Sequence, residues 1–334
     1  MFDFLADLSD PDKSIQTRMP AAAVLVLVPP NMTVPASGPN GFLGDRIHQF
    51  PSVHAVCARS ARVLLWPDDA VTRAFFSFPN IRFVKGQTAL EACEAIREEK
   101  IEEVMCLYSP SRATPPEREA DCRLLREAEA IVCGLPAAGV QQPGRLDPLG
   151  AVPVWRQLRD SFDFKTDPLP LPWFEPGADA LSWTSDVVSD FHSRRETGPF
   201  LIISPFSGSP KKAVPDDWWV ELVRSLPPFT VVVPVFGNAE MDKANRLFAG
   251  TGALVIEADL LQTIALSSLS ASEVLGVDGG RLNLLAASQC RPVHAFFGIW
   301  PASAWALPNV QALPLDLTPA EAIQQIPSLY LISQ

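Results

Sequence analysis

Short apolar runs alternate with amphipathic stretches along most of this 334-residue chain. The apolar runs are typical of buried strands, and the amphipathic stretches are typical of helices packed on a sheet. The predicted strands are 22–28, 62–66, 81–84, 104–108 and 130–133, then 200–204, 230–235, 253–256, 273–277 and 292–297. Strands that alternate with helices predict an α/β fold, with parallel sheets covered on both faces.

Helix signals fall between these runs. Gly44 and Asp45 open a predicted helix in which Pro51 marks a break or a new first turn. Thr88 and Glu91 have the spacing of a capping box, which predicts a helix from residue 88. Further helices are predicted at 69–76, 88–100, 116–128, 154–162, 181–195 and 281–289, and one begins near residue 215.

The series of elements divides into two halves around a proline-rich stretch, 136–176. We interpret 1–20 as a polar N-terminal extension, 21–180 as a first Rossmann-like domain and 181–334 as a second. Two such domains face each other across a cleft, and ligands bind there at the carboxyl ends of the strands.

The segment 272–298 predicts a strand, a tight turn at Asp278-Gly279-Gly280, a helix and a second strand. A helix N-terminus carries unpaired N–H groups and partial positive charge, so a diphosphate fits there, and glycines permit close backbone approach. An alternative is that the glycines only make the turn, with Asp278 as its Asx or N-cap residue.

Composition limits the partners. Hydrophobic residues make up 47% of the chain, the formal net charge is −11 and the pI is about 4.9, which argues against a nucleic-acid partner. The six cysteines and four histidines show no metal-ligand spacing, so we expect no metal site. No run approaches the ~20 apolar residues of a membrane span. We expect a soluble, cytoplasmic protein, with association at the inner membrane face left open.

Other polar clusters follow predicted strands of the second half. Ser207 and Ser209 precede Lys212 in a loop that fits either an anion cradle or a solvated surface. Glu240 follows the strand at 230–235, where a carboxylate binds a ribose hydroxyl or simply serves the first turn of a helix. A Gly-Asp pair such as that ending in Asp45 is far more often a helix N-cap than a catalyst.

Three segments resemble motifs of family 9 glycosyltransferases, the ADP-heptose:lipopolysaccharide heptosyltransferases. DGGRLNLLAASQCRPVHAFFG is similar to DSGxxHLAAALGxPVVALFG, with Asn283 in place of the family's usual His. Lys212 to Pro215 resembles KxWP, with Val214 in place of Trp, and GFLGDRIHQFPSV resembles GDxxHxxPAL. The motifs occur in the family's order and at domain-scale spacing.

The resemblance implies a GT-B fold with an N-terminal acceptor domain, a C-terminal nucleotide-sugar donor domain and a central cleft. It implies an inverting, metal-independent transferase without cofactor, which uses a nucleotide-diphospho-sugar, ADP-heptose in the family, and a saccharide or glycolipid acceptor. Asp45 takes the place of the catalytic base. The donor-binding positions are Ser207, Ser209, Lys212, Glu240, Asp278, Gly279, Gly280 and Asn283.

Two other function classes remain. A non-catalytic binding or scaffolding protein with the same fold would explain Asn283, Val214 and the long loop at 29–42. An NAD-dependent oxidoreductase ranks last, because no GxGxxG motif follows the first strand.

Overall fold

The computed structural model describes residues 23–28, 43–86, 88–97, 99–107, 130–132, 134–135, 140–141, 149–162, 169–193, 200–207, 212, 214–268, 272–327 and 329. These residues form two separate sheets, and the neighbouring strands in both are parallel. The predicted α/β architecture is thereby confirmed.

The first sheet contains β1 (Val24–Leu27), β2 (Val63–Trp66), β3 (Ile81–Phe83), β4 (Glu103–Cys106) and β5 (Val140–Gln141). Its strand order is β3-β2-β1-β4-β5. The accompanying helices are α1 (Leu43–Arg59), α2 (Ala70–Phe75), α3 (Ala89–Ile96) and α4 (Val154–Asp160). The central strands β1 and β2 are buried along their whole length, as expected where helices cover both faces.

The second sheet contains β6 (Phe200–Ser204), β7 (Val231–Val235), β8 (Leu254–Glu257), β9 (Ser272–Val277), β10 (Val293–Phe296) and β11 (Val310–Leu313). Its order is β11-β10-β9-β6-β7-β8. The helices are α5 (Ala178–Ser193), α6 (Asp216–Arg224), α7 (Gly237–Leu247), α8 (Leu260–Ser268), α9 (Gly280–Ala287), α10 (Ala302–Trp305) and α11 (Pro319–Gln325). The predicted domain boundary at 180/181 lies within the first turn of α5, which packs on α8.

Local signals account for several of these elements. Thr88 and Glu91 form the predicted capping box at the start of α3. Trp219 of α6 is fully buried against Phe296, because an amphipathic helix packs its apolar face on the sheet. A proline can sit inside a helix that tertiary packing stabilises, and α1 continues through Pro51, so the predicted break there is wrong.

One predicted strand is also wrong. Residues 130–132 are helical, and Ile131 is fully buried in the cluster that contains Ile96 of α3. A short apolar run fits a buried helical turn as well as a strand, so periodicity alone does not separate them. The predicted extension 1–20, the loop 29–42 and the helix 116–128 lie outside the described residues.

Candidate functional site

The candidate site lies at the carboxyl ends of the central strands of the second sheet. From β6 the chain passes through α6 to β7 on one side, and from β9 it passes through α9 to β10 on the other. The loops after β6 and β9 therefore leave in opposite directions and open a crevice between them. Such a switch point is where open α/β sheets bind ligands.

Lys212 and Asp278 meet across this switch point. Lys212 Nζ lies 2.6 Å from Asp278 Oδ2, and the two side chains are 13% and 3% exposed. Ser207 Oγ donates a long, 3.5 Å hydrogen bond to the carbonyl oxygen of Asp278. The structure thus brings together Ser207, Lys212 and Asp278, whereas Ser209 lies outside the described residues. A solvated-loop interpretation of Lys212 does not fit its burial.

The N-terminus of α9 completes this edge of the crevice. Gly279 is the N-cap residue and no side chain caps it, so the Asx or N-cap interpretation of Asp278 is wrong. The φ angle of Gly279 is −176°, and a Cβ there would meet its nearest neighbours only at 3.7 Å and beyond. The backbone of Gly279 therefore has room beside it, and the uncapped helix end supplies partial positive charge.

The N-terminus of α1 covers Gly280. A Cβ at Gly280 would lie 2.8 Å from Leu43 Cβ, and one at Gly44 would lie 3.4 Å from Asn283 Nδ2 and 3.8 Å from Gly280 Cα. The Gly-Asp motif of the first half therefore contacts the Asp-Gly-Gly motif of the second. Asp45 and Asn283 are 3% and 4% exposed.

A second ion pair joins α9 to α7. Arg281 Nη2 donates to Glu240 Oε2, and the same oxygen accepts from the backbone N–H of Phe236 at 2.8 Å. The Arg281 guanidinium carbon lies 4.1 Å from the centre of the Phe236 ring. Burial lowers the pKa of Arg281 from its ordinary value, and the charge and hydrogen bond of Glu240 oppose that shift. Sequence reasoning missed Arg281, although it directly follows the two glycines.

Aromatic residues also pack against α1. The His48 ring of α1 meets the Trp305 ring edge-on at 5.3 Å, and Trp300 lies 5.8 Å from Trp305. Trp305 is 9% exposed, so it covers α1 rather than lining an open surface. His48 is 1% exposed and is therefore a core residue.

Within the described ranges, no group of three or more His, Cys, Asp or Glu residues has the arrangement of a metal site. The same ranges contain no helix with the length and hydrophobicity needed to cross a bilayer.

Solved structures similar to this chain include sugar transferases. A family 9 glycosyl transferase from Veillonella parvula has a TM-score of 0.65 at 14% identity, covering 93% of this chain and 97% of its own. The ADP-heptose lipopolysaccharide heptosyltransferase II of E. coli has a TM-score of 0.61 at 16% identity, covering 92% and 98%. The E. coli heptosyltransferase WaaC with ADP gives 0.58 at 15% identity, covering 92% and 99%.

At these identities the likeness shows the fold, which is the two-domain GT-B architecture that the motifs implied. No protein-family model matches the chain, and no curated protein sequence matches it either.

Proposed function

We propose that the chain is an inverting, metal-independent glycosyltransferase. It would move a heptose-like sugar from a nucleotide-diphospho-sugar, an ADP-sugar by analogy, to a saccharide or glycolipid acceptor. The observation that carries this proposal is the placement of Lys212 and Asp278 at the switch point, beside the uncapped N-terminus of α9, on which the first turn of α1 with Gly44 and Asp45 packs. The structural similarity to heptosyltransferases, one of them holding ADP, supports it.

The donor's diphosphate belongs at the end of α9. Its oxygens accept hydrogen bonds from the amides at Gly279 and Gly280. They also replace Asp278 as the ion-pair partner of Lys212. Because a buried lysine and a helix N-terminus are fixed before the reaction, they stabilise negative charge as it develops on the leaving nucleoside diphosphate. A ribose hydroxyl donates to the Glu240 carboxylate, which lies after the neighbouring strand β7.

Asp45 acts as the general base. It takes the proton of the acceptor hydroxyl while that oxygen attacks the anomeric carbon, and the bond from this carbon to the phosphate oxygen breaks. The nucleoside diphosphate departs from the opposite face, so the anomeric configuration inverts. Asp45 is 3% exposed while α1 rests on α9, so transfer requires α1 to separate from α9.

The packing of α1 on α9 also favours the second candidate, a catalytically inactive GT-B protein that acts as a binding or scaffolding protein. Leu43 covers Gly280, and Gly44 in the first turn of α1 lies against Asn283, which leaves the two motifs in contact with each other. In this case no transfer occurs, and the chain forms a stable complex with a protein partner. Peripheral association with a membrane that carries the acceptor belongs to the first proposal only.

Calorimetric titration with ADP and ADP-heptose tests the donor site. We expect Lys212→Met to weaken binding by about 1.5–3 kcal/mol, the scale of a hydrogen bond to a charged group. Lys243→Met is the matched control, because Lys243 is half exposed and its partner Asp216 is 3.8 Å away. Asp45→Asn should leave ADP affinity unchanged and lower the transfer rate by about 10²–10⁴-fold. Chelation of divalent ions should change neither binding nor transfer.

If the protein bound none of ADP, GDP and UDP, the proposed donor site would be refuted. Binding without transfer to any saccharide or glycolipid acceptor would favour the inactive GT-B protein.

A further inference from the structure

The Arg281 side chain contacts another residue of the candidate site, Glu240, and is shielded from solvent. Its side chain begins in the first turn of α9, after β9, and ends at Glu240 of α7, after β7. Because β6 lies between β9 and β7, this side chain crosses the carboxyl end of β6. It is 4% exposed, a degree of burial that is rare for arginine unless the charge is paired.

Glu240 is held by one of its two oxygens. Oε2 accepts both from the Phe236 backbone N–H and from Arg281 Nη2. Among the described residues no hydrogen bond reaches Oε1, and the Glu240 side chain is 36% exposed. The carboxylate is therefore anchored from behind through Oε2 and keeps acceptor capacity at Oε1 for a ligand.

The anchor itself is fixed. The Phe236 ring covers one face of the Arg281 guanidinium at 4.1 Å, and cation–π contact of this kind restricts the plane of the group. Arg281 Nε is buried and has no hydrogen-bond partner among the described residues, so Nη2 and the contact with the Phe236 ring hold the guanidinium in place. Such an arrangement sets both the position and the orientation of the Glu240 carboxylate.

We propose that Arg281 is a positioning residue for nucleotide recognition: it orients Glu240 so that the carboxylate accepts hydrogen bonds from the ribose hydroxyls of a nucleoside diphosphate. This inference rests on the proposed function, because it requires a nucleotide at the switch point. Arg281 itself touches neither the ribose nor the diphosphate. It determines how strongly the site distinguishes a ribose from a sugar without hydroxyls.

The test is the ratio of dissociation constants for 2′,3′-dideoxy-ADP and ADP, measured calorimetrically with AMP, GDP and UDP titrated alongside. We expect wild type to prefer ADP roughly ten-fold or more, the scale of a hydrogen bond to a charged group. Glu240→Gln and Arg281→Met should each lower this ratio by most of its value. The double variant should resemble Glu240→Gln, because both changes remove one interaction.

Two further variants separate positioning from general disturbance. Arg281→Lys keeps the charge and should restore part of the ribose preference. Phe236→Leu removes the ring but keeps both ion-pair partners, so we expect an intermediate ratio. A purely structural role would weaken dideoxy-ADP and ADP equally and leave the ratio unchanged.

The outcomes are distinct. If wild type binds ADP and Arg281→Met keeps the full ribose preference, the inference is wrong while the proposed function stands. If Arg281→Met instead lowers the preference for ADP over AMP, Arg281 acts on the diphosphate, which also overturns the inference. If wild type binds none of the three nucleoside diphosphates, both the proposed function and this inference fail.

Discussion

On the C-terminal side of the candidate cleft, charged side chains from segments that follow three different strands form ion pairs, whereas on the N-terminal side a single helix carries polar residues that are almost wholly buried. The C-terminal pairs, Lys212 with Asp278 and Arg281 with Glu240, each join segments that follow different strands. On α1, Asp45, Arg46, His48 and Gln49 are all at most 3% exposed.

The polar residues of α1 tie this helix to its own half. Arg46 pairs with Asp69 at 3.4 Å, and Gln49 Nε2 donates to the carbonyl oxygen of Leu107, just beyond β4, at 3.0 Å. The same helix packs on α9 of the other half through Leu43 and Gly44. Consequently buried polar contacts hold α1 to its own half, whereas two ion pairs between segments that follow different strands hold the C-terminal side.

The largest expected effect concerns the Lys212–Asp278 pair. Lys212→Met leaves the Asp278 carboxylate, 3% exposed, without its cation, and removal of one partner of a buried pair costs about 3–5 kcal/mol. Asp278→Ala should cost less, because the 13% exposed lysine can extend its ammonium group toward water. Urea unfolding of both single variants and the double variant measures these costs.

The double variant sharpens the comparison, since it leaves no uncompensated charge and should be more stable than Lys212→Met. Lys243→Met removes a half-exposed pair and should change the free energy of unfolding by less than about 1 kcal/mol. If Lys212→Met lowers the free energy of unfolding no more than Lys243→Met does, the Lys212–Asp278 pair does not contribute to stability.

The next effect concerns the contact between the two sides. Gly280→Ala places a methyl group 2.8 Å from Leu43 Cβ and 3.2 Å from the backbone nitrogen of Gly44, so α1 or α9 must shift. We expect a loss of about 1–3 kcal/mol, the usual cost of overpacking, in spite of the better helix propensity of alanine. Gly279→Ala is the control, because a Cβ there meets nothing closer than 3.7 Å.

Gly279→Ala should change the free energy of unfolding by no more than about 0.5 kcal/mol. It should nevertheless weaken ADP binding, because the methyl group occupies the open side of the helix N-terminus. Equal stability losses in the two glycine variants would show that α1 does not rest on α9 in solution.

The sequence predicted the elements at the switch point better than the contacts between their side chains. The strand, turn and helix around Asp278 have local signals, namely an apolar run, two glycines and small residues at helical spacing, and the structure places β9 and α9 there. Similarly, the capping box at Thr88 is a signal within four residues of chain. Local chemistry of this kind needs no knowledge of the tertiary fold.

The ion pairs could not be predicted in this way. Lys212 and Asp278 are 66 residues apart in sequence, and Glu240 and Arg281 are 41 apart. Only the strand order β9-β6-β7 brings these loops together, and no local pattern determines that order. The helical residues 130–132 are a different failure, because the apolar run was correctly assigned to the core but its geometry was not.

The smallest expected effect is on the pH dependence of the free energy of unfolding, to which one histidine on each side contributes. Burial lowers the pKa of His54 on α1 and of His294 on β10 below the ordinary value of 6.5. Below about pH 6.5 the unfolded chain therefore binds protons that the native protein does not, so the free energy of unfolding falls as the pH falls toward the native pKa values. His54→Gln and His294→Gln should each reduce this decline, measured by urea unfolding at pH 7.5 and 5.5.

His294 should account for the larger share. It is 7% exposed and its Nδ1 has no hydrogen-bond partner among the described residues, whereas His54 is only partly buried and packs edge-on against Phe78 at 5.5 Å. Carboxylates also titrate in this range, but their contribution cancels in the difference between wild type and each variant. If His54→Gln reduced the pH-dependent loss of unfolding free energy as much as His294→Gln or more, His54 would be shielded from water at least as well as His294. The prediction that burial is more complete on β10 than on α1 would then be wrong.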